Sequence, residues 1–178
     1  MSTVGLRCSP FGLRPGRAIA FATIACLLTS AGSSWAQATA GFNGTWALNQ
    51  DKSMFEPLDT RPTRRIVTLA IKGDELSHST ETQRTRFLDV EPFQEVSTAR
   101  VSYTAKFDGR EYPVPNSSAK IKLKRINATT FERVATTGTA SETGTWTLAA
   151  DGKTLTVTTK GVDGEGTPYT STQVYDRQ

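Results

Sequence analysis

The chain has 178 residues and only two cysteines, Cys8 and Cys26, both within the first 38 residues. Everything after that lacks a thiol, which excludes a disulfide framework, a thiolate metal site and a cysteine nucleophile. His78 is the sole histidine. An ordinary His/Cys zinc site therefore cannot be assembled, and any Ser-His-Asp constellation would have to be built on this one ring. Helical periodicity is also missing: no window of about ten residues keeps apolar side chains at i, i+3, i+4 and i+7, so helix is limited to one turn near Lys52 to Phe55. The Gly161 to Gly166 stretch is no phosphate loop, because no Lys-Ser or Lys-Thr ends it. Asp163 and Glu165 could offer oxygens to calcium but lack the spaced carboxylates of an EF-hand loop. Asp74 and Glu75 follow Gly73 and read as turn residues. No metal ligand set and no cofactor is implied.

Long apolar runs are scarce too. The longest, Ala18 to Leu28, has about 11 residues against the ~20 that a helix needs to cross a bilayer. Arg7, Arg14 and Arg17 precede it, and Ala36 and Ala38 flank Gln37 behind it. That order predicts a secretory signal peptide over residues 1–38, cleaved near Ala38, with 39–178 left as one periplasmic or secreted domain without a transmembrane segment. A lipid anchor at Cys26 is disfavoured, since Thr23 stands where such sites carry Leu and the apolar run before Cys26 is short. The leader also explains the net charge of +4: without its three arginines, 18 basic residues face 17 acidic ones. No basic patch with interleaved aromatics remains, so nucleic acid is not an expected partner. Lys120, Lys122 and Lys124 alternate with Ile121 and Leu123, the pattern of a solvated strand face.

What the chain does have is threonine, 25 of the residues from 39 onward, and period-two alternation. Val67, Leu69 and Ile71 alternate with Thr68 and Ala70; Val101, Tyr103, Ala105 and Phe107 with Ser102, Thr104 and Lys106; Trp146 and Leu148 with Thr145 and Thr147; Leu155 and Val157 with Thr154 and Thr156. Asp108-Gly109 and Asp151-Gly152 mark hairpins, with weaker turns at Gly73-Asp74, Asn127-Ala128 and Asp163-Gly164. Strands are expected near 43–49, 65–72, 75–82, 84–90, 97–107, 118–126, 129–136, 141–150, 153–160 and 168–176. Eight to ten strands with short connections predict an all-β, antiparallel up-and-down barrel that leaves no exposed edge. The Pro-rich connection from Asp51 to Arg64 is expected to cross one barrel end.

Gly44-Thr45-Trp46 opens the first of these strands, and the Pro-rich segment and a ladder of hairpins follow. This resembles the lipocalin and wider calycin pattern, whose first strand carries G-x-W. The resemblance implies that Trp46 plugs one barrel end with Arg177 packed over its ring. Ala149 to Gln178, with Asp151-Gly152-Lys153-Thr154 and Gln173-Val174-Tyr175-Asp176, also resembles a group of uncharacterised exported bacterial proteins of lipocalin-like type. The paired cysteines and T-D-Y motif of secreted lipocalins are absent.

Within a barrel, Tyr103, Ala105, Phe107, Ile121, Leu123, Phe131, Trp146 and Leu148 are the candidate pocket residues. Arg125 and Arg133 fall on the parity of apolar neighbours, and either would need an anionic partner if it faced the lumen; a bulge near Ile126 would turn Arg125 outward. His78, flanked by Ser77 and Ser79, reads as a surface histidine, with haem ligand or general base as the alternatives. The expected function is a monomeric, non-enzymatic module for a small apolar or amphipathic ligand; the alternative is a structural or protein-interaction barrel with a filled interior and no small-molecule ligand. An enzyme of lipocalin-like type is a remote third.

Overall fold

The computed structural model describes residues 41–87, 91 and 94–178. The leader, the Ala36–Ala38 site, Cys26 and the end of the strand expected over 84–90 lie outside them. Ten strands follow one another: β1 (Gly44–Glu56), β2 (Arg64–Lys72), β3 (Glu75–Phe87), β4 (Gln94–Lys106), β5 (Tyr112–Pro113), β6 (Lys120–Asn127), β7 (Thr130–Thr137), β8 (Ala140–Leu148), β9 (Thr154–Val162) and β10 (Pro168–Arg177). Except for β4 and β5, each pairs antiparallel with its neighbour in sequence, and β1 pairs with β10, so the sheet wraps into a nearly closed up-and-down barrel. Among the described residues no helix is long and apolar enough to cross a membrane.

Three expectations are corrected. The barrel is not free of edges: β4 and β5 are the two ends of the sheet order and do not pair. β5 has only two residues, and Pro113 and Pro115 carry no N–H to donate across the gap. The stretch expected as a strand over 75–82 and the described part, 84–87, of the one expected over 84–90 form the single strand β3, paired along its length with β4. Instead of a helical turn near Lys52 to Phe55 there is a bulge in β1, where the register with β10 shifts between Asn49 and Met54. There the Asn49 side chain accepts the backbone N–H groups of Asp51 and Lys52, at 3.2 and 3.0 Å, and the Ser53 hydroxyl accepts that of Val174 at 2.9 Å. Polar side chains thus replace the ladder where the strand bends. A 3-10 turn forms instead at Leu58–Thr60.

The two ends of the barrel differ. At the closed end, Phe42, Trp46, Leu69, Leu76, Leu123, Phe131 and Leu155 fill the interior and are almost wholly buried. The Trp46 indole N–H donates to the Phe42 carbonyl at 2.9 Å, and the Arg177 guanidinium lies 4.2 Å from the ring centroid. Arg177 also donates to the carbonyls of Gly152 at 2.7 Å, Asn43 at 2.6 Å and Gly41. Gly44 is required here: its φ is +136°, and a Cβ would sit 2.7 Å from an Arg177 nitrogen.

Trp46→Ala is expected to lower unfolding free energy by about 3–5 kcal/mol in urea titration. Arg177→Ala should exceed the ~0.5–2 kcal/mol of ring stacking alone, because three carbonyls lose their donor as well. A double-mutant cycle should give a coupling of at least about 0.5 kcal/mol, and additivity would show that the two side chains do not support each other.

Candidate ligand site

Following the inward parity of each strand from the closed end upward, the side chains change from apolar to polar. On β3, Leu76 is followed by His78, Thr80 and Thr82; on β8, Leu148 and Trp146 are followed by Glu142; on β2, Val67 gives way to Arg65; on β10, Tyr175 gives way to Gln173 and Ser171. The open half is not filled. An outer cavity of about 810 Å³ lies between β4, at Arg100 to Tyr103, and the segment Val114 to Ala119 before β6. It therefore occupies the seam where β4 and β5 fail to pair. Val101, Tyr103, Val114, Ile121, Ala135 and Val162 make much of its wall apolar.

Beneath it lies a smaller polar chamber of about 200 Å³, lined by Arg65, His78, Thr80, Thr82, Thr159, Gln173 and Trp146 among others. Val101, Arg133 and Glu142 line both spaces and so mark where they meet. Glu142 pairs with the Arg133 guanidinium and accepts the Tyr169 hydroxyl at 2.9 Å, while the Arg133 side chain is only 18% exposed. Arg65 has a different kind of partner. It donates to Thr82 Oγ1 at 3.1 Å and to Gln173 Oε1 at 2.7 Å, an oxygen that also accepts the Tyr175 hydroxyl at 2.6 Å. Among the described residues it makes no ion pair.

His78 is not on the surface: it is 5% exposed, stacked on Tyr103 with ring centroids 4.6 Å apart and edge-on to Trp146. Ser77 and Ser79 point the other way, as adjacent strand residues must. Nε2 lies 3.0 Å from Thr80 Oγ1, and Nδ1 has no partner among the described residues. Burial, with the charges of Arg133 and then Arg65, lowers its pKa from 6.5 to about 3, so the ring is neutral and weakly basic. Burial also raises the pKa of Tyr103, whose hydroxyl is unpartnered.

Of the residues singled out in the sequence, Tyr103 and Ile121 line the outer cavity and Trp146 the inner chamber. Ala105, Phe107, Leu123, Phe131 and Leu148 pack in or against the core and line neither space. Arg133 faces the lumen. Arg125 sits at the closed end, its guanidinium 4.6 Å from the Phe107 centroid and donating to the Gly73 carbonyl at 3.2 Å, with a register shift just after it. Arg65, Glu142 and Gln173 were not singled out, although each falls on the apolar parity of its strand, the same test that picked Arg133.

Neither a family model nor a curated protein matches the chain. Among solved structures, the fatty acid binding protein of Schistosoma mansoni in complex with arachidonic acid superposes with a TM-score of 0.53 at 16% identity, covering 79% of this chain and 98% of its own. Zebrafish ileal bile-acid-binding protein complexed with cholic acid gives 0.49 at 11% identity, covering 78% and 99%. The first likeness shows the fold, a calycin-type barrel.

The depressed pKa of His78 has a definite sign. Its native value lies below the unfolded one, so the stability it contributes is complete above about pH 6.5 and is lost as pH falls from there toward 3. Urea titrations should therefore show wild type losing up to about 1.4 kcal/mol per pH unit more than His78→Phe over that window. The Cε1–H resonance of this single histidine should stay flat from about pH 8 to 5, and a midpoint near 6.5 would place the ring in water.

Proposed function

We propose that this chain is an exported, lipocalin-like binding module that holds a small amphipathic ligand in the open half of its barrel. The outer cavity carries the reading: its volume of about 810 Å³ falls in the ~300–1,000 Å³ range of small-molecule pockets, and a mostly apolar wall with a few placed polar groups is how such pockets are built. The schistosome barrel of the same fold was solved with arachidonic acid, which supports a lipid-like ligand by analogy of fold. The competing reading, a barrel filled by its own side chains, describes the closed half alone. Export rests on the leader, and the absence of cysteine beyond residue 38 leaves the domain indifferent to the oxidising conditions it would meet.

An environment-sensitive apolar dye should gain fluorescence on binding and be displaced by long-chain amphiphiles. Ala135→Trp, which fills the outer cavity from β7, should abolish the gain, and so should Ala119→Trp on the facing wall. Undiminished dye binding in both variants, with unfolding midpoints near wild type, would move the site out of the barrel. N-terminal sequencing of the protein from the periplasmic or extracellular fraction should begin near Thr39; a start at a lipid-modified Cys26 would overturn the cleavage site.

A further inference from the structure

Building on the proposed binding of an amphipathic ligand, we infer that the inner chamber is an oxyanion site and that the ligand enters it head first, with a carboxylate, phosphate or sulfate group. Charge is the first argument. The open half encloses two guanidinium groups, Arg65 and Arg133, and His78 is neutral. The Glu142 carboxylate compensates Arg133. Arg65 has only the neutral oxygens of Thr82 and Gln173, and two of its five N–H groups account for both contacts. One positive charge is left without a counter-charge in a confined space, where an anion gains more than it would in water.

The second argument is a surplus of donors. Trp146 is 4% exposed and its indole N–H, which can only donate, has no acceptor among the described residues; the Arg133 Nε–H has none there either. Both residues line the chamber with Arg65. Buried donors without partners are uncommon and each costs free energy. The hydroxyls of Thr80, Thr82 and Thr159 and the Gln173 amide can each donate, and the neutral His78 ring adds a further donor at Nδ1 when Nε2 accepts from Thr80, so they do not remove the excess. A group with several acceptor oxygens, no obligatory donor and a negative charge complements this set, and an oxyanion has all three properties. Water matches the volume but not the charge.

Size and path agree. About 200 Å³ accommodates a head group, while the outer cavity offers the larger apolar wall to a tail. The two spaces meet at Arg133 and Glu142, so an incoming head group passes that ion pair before it reaches Arg65.

Isothermal titration calorimetry on the full exported domain, with dodecanoate, dodecyl phosphate and dodecanol kept below micelle-forming concentrations, tests the assignment. Both acids are expected to bind at least about tenfold more tightly than the alcohol. Arg65→Gln should bring that ratio to about one, and Trp146→Phe should reduce it severalfold. Equal affinities for acid and alcohol in the wild type, or a full wild-type ratio in either variant, would overturn the oxyanion site while leaving the barrel a binder. Binding of none of the three would instead remove the proposed function. Inorganic phosphate alone binding as tightly as dodecyl phosphate would overturn the head-group assignment in favour of a free ion.

Discussion

The barrel hangs on one side chain. Arg177, at the end of the last strand, lies over the ring of Trp46 in the first strand and donates to carbonyls at Gly41, Asn43 and Gly152. That joins the segment before β1, the strand pair that closes the sheet and the turn leading into β9. Each carbonyl is part-buried beside an apolar plug, so guanidinium and ring support each other: the ring shields these bonds from water, and the guanidinium gives the shielded carbonyls a donor. A planar cation with five donors can do both at once, and a lysine could not.

With one end sealed in this way, the other end is free to be poorly satisfied. Protein interiors seldom tolerate an imidazole nitrogen, a phenol and an indole N–H without partners side by side, and here His78 Nδ1, the Tyr103 hydroxyl and the Trp146 N–H sit together with none among the described residues. Their cost is borne by the closed half, where Leu69, Leu76, Leu123 and Leu155 are packed with almost no exposed surface. The division runs across the strands, so a single strand such as β3 serves the core with Leu76 and the lumen with His78 and Thr82. Packed core and polar lumen are separated by height along the barrel axis.

How much of this could be read in the amino acids depended on parity. Alternation fixed the class of fold, because Val67, Leu69 and Ile71 or Leu155 and Val157 have to face one way. Gly44-Thr45-Trp46 pointed to the sealed end and to Arg177. His78 reads as a surface residue from its immediate neighbours, two serines, but the residues sharing its face are Leu76 and Thr80. Arg65 is masked for the opposite reason: it stands at the start of a run whose apolar members, Val67, Leu69 and Ile71, dominate the pattern of the face it shares. The seam left a trace in Pro113 and Pro115, but alternation cannot report whether two strands distant in sequence meet. Nor can it show how far up the barrel a side chain lies, which is why Phe107, Leu123 and Phe131, inward as expected, belong to the core.

The seam has a mechanical meaning. A ring in which every strand is zipped to the next can widen only by breaking ladder hydrogen bonds all along one junction. This sheet is a split ring, fastened beside the gap, among the described residues, near the closed end, where Asp108 bridges Lys124 and Gly109 donates to the Leu123 carbonyl at 3.1 Å. Its bore can therefore spread like a collet, with β4 and the Val114 to Ala119 segment as the jaws, at the expense of side-chain contacts alone. Freedom to vary its girth is built into the backbone topology, whatever residues happen to line the jaws.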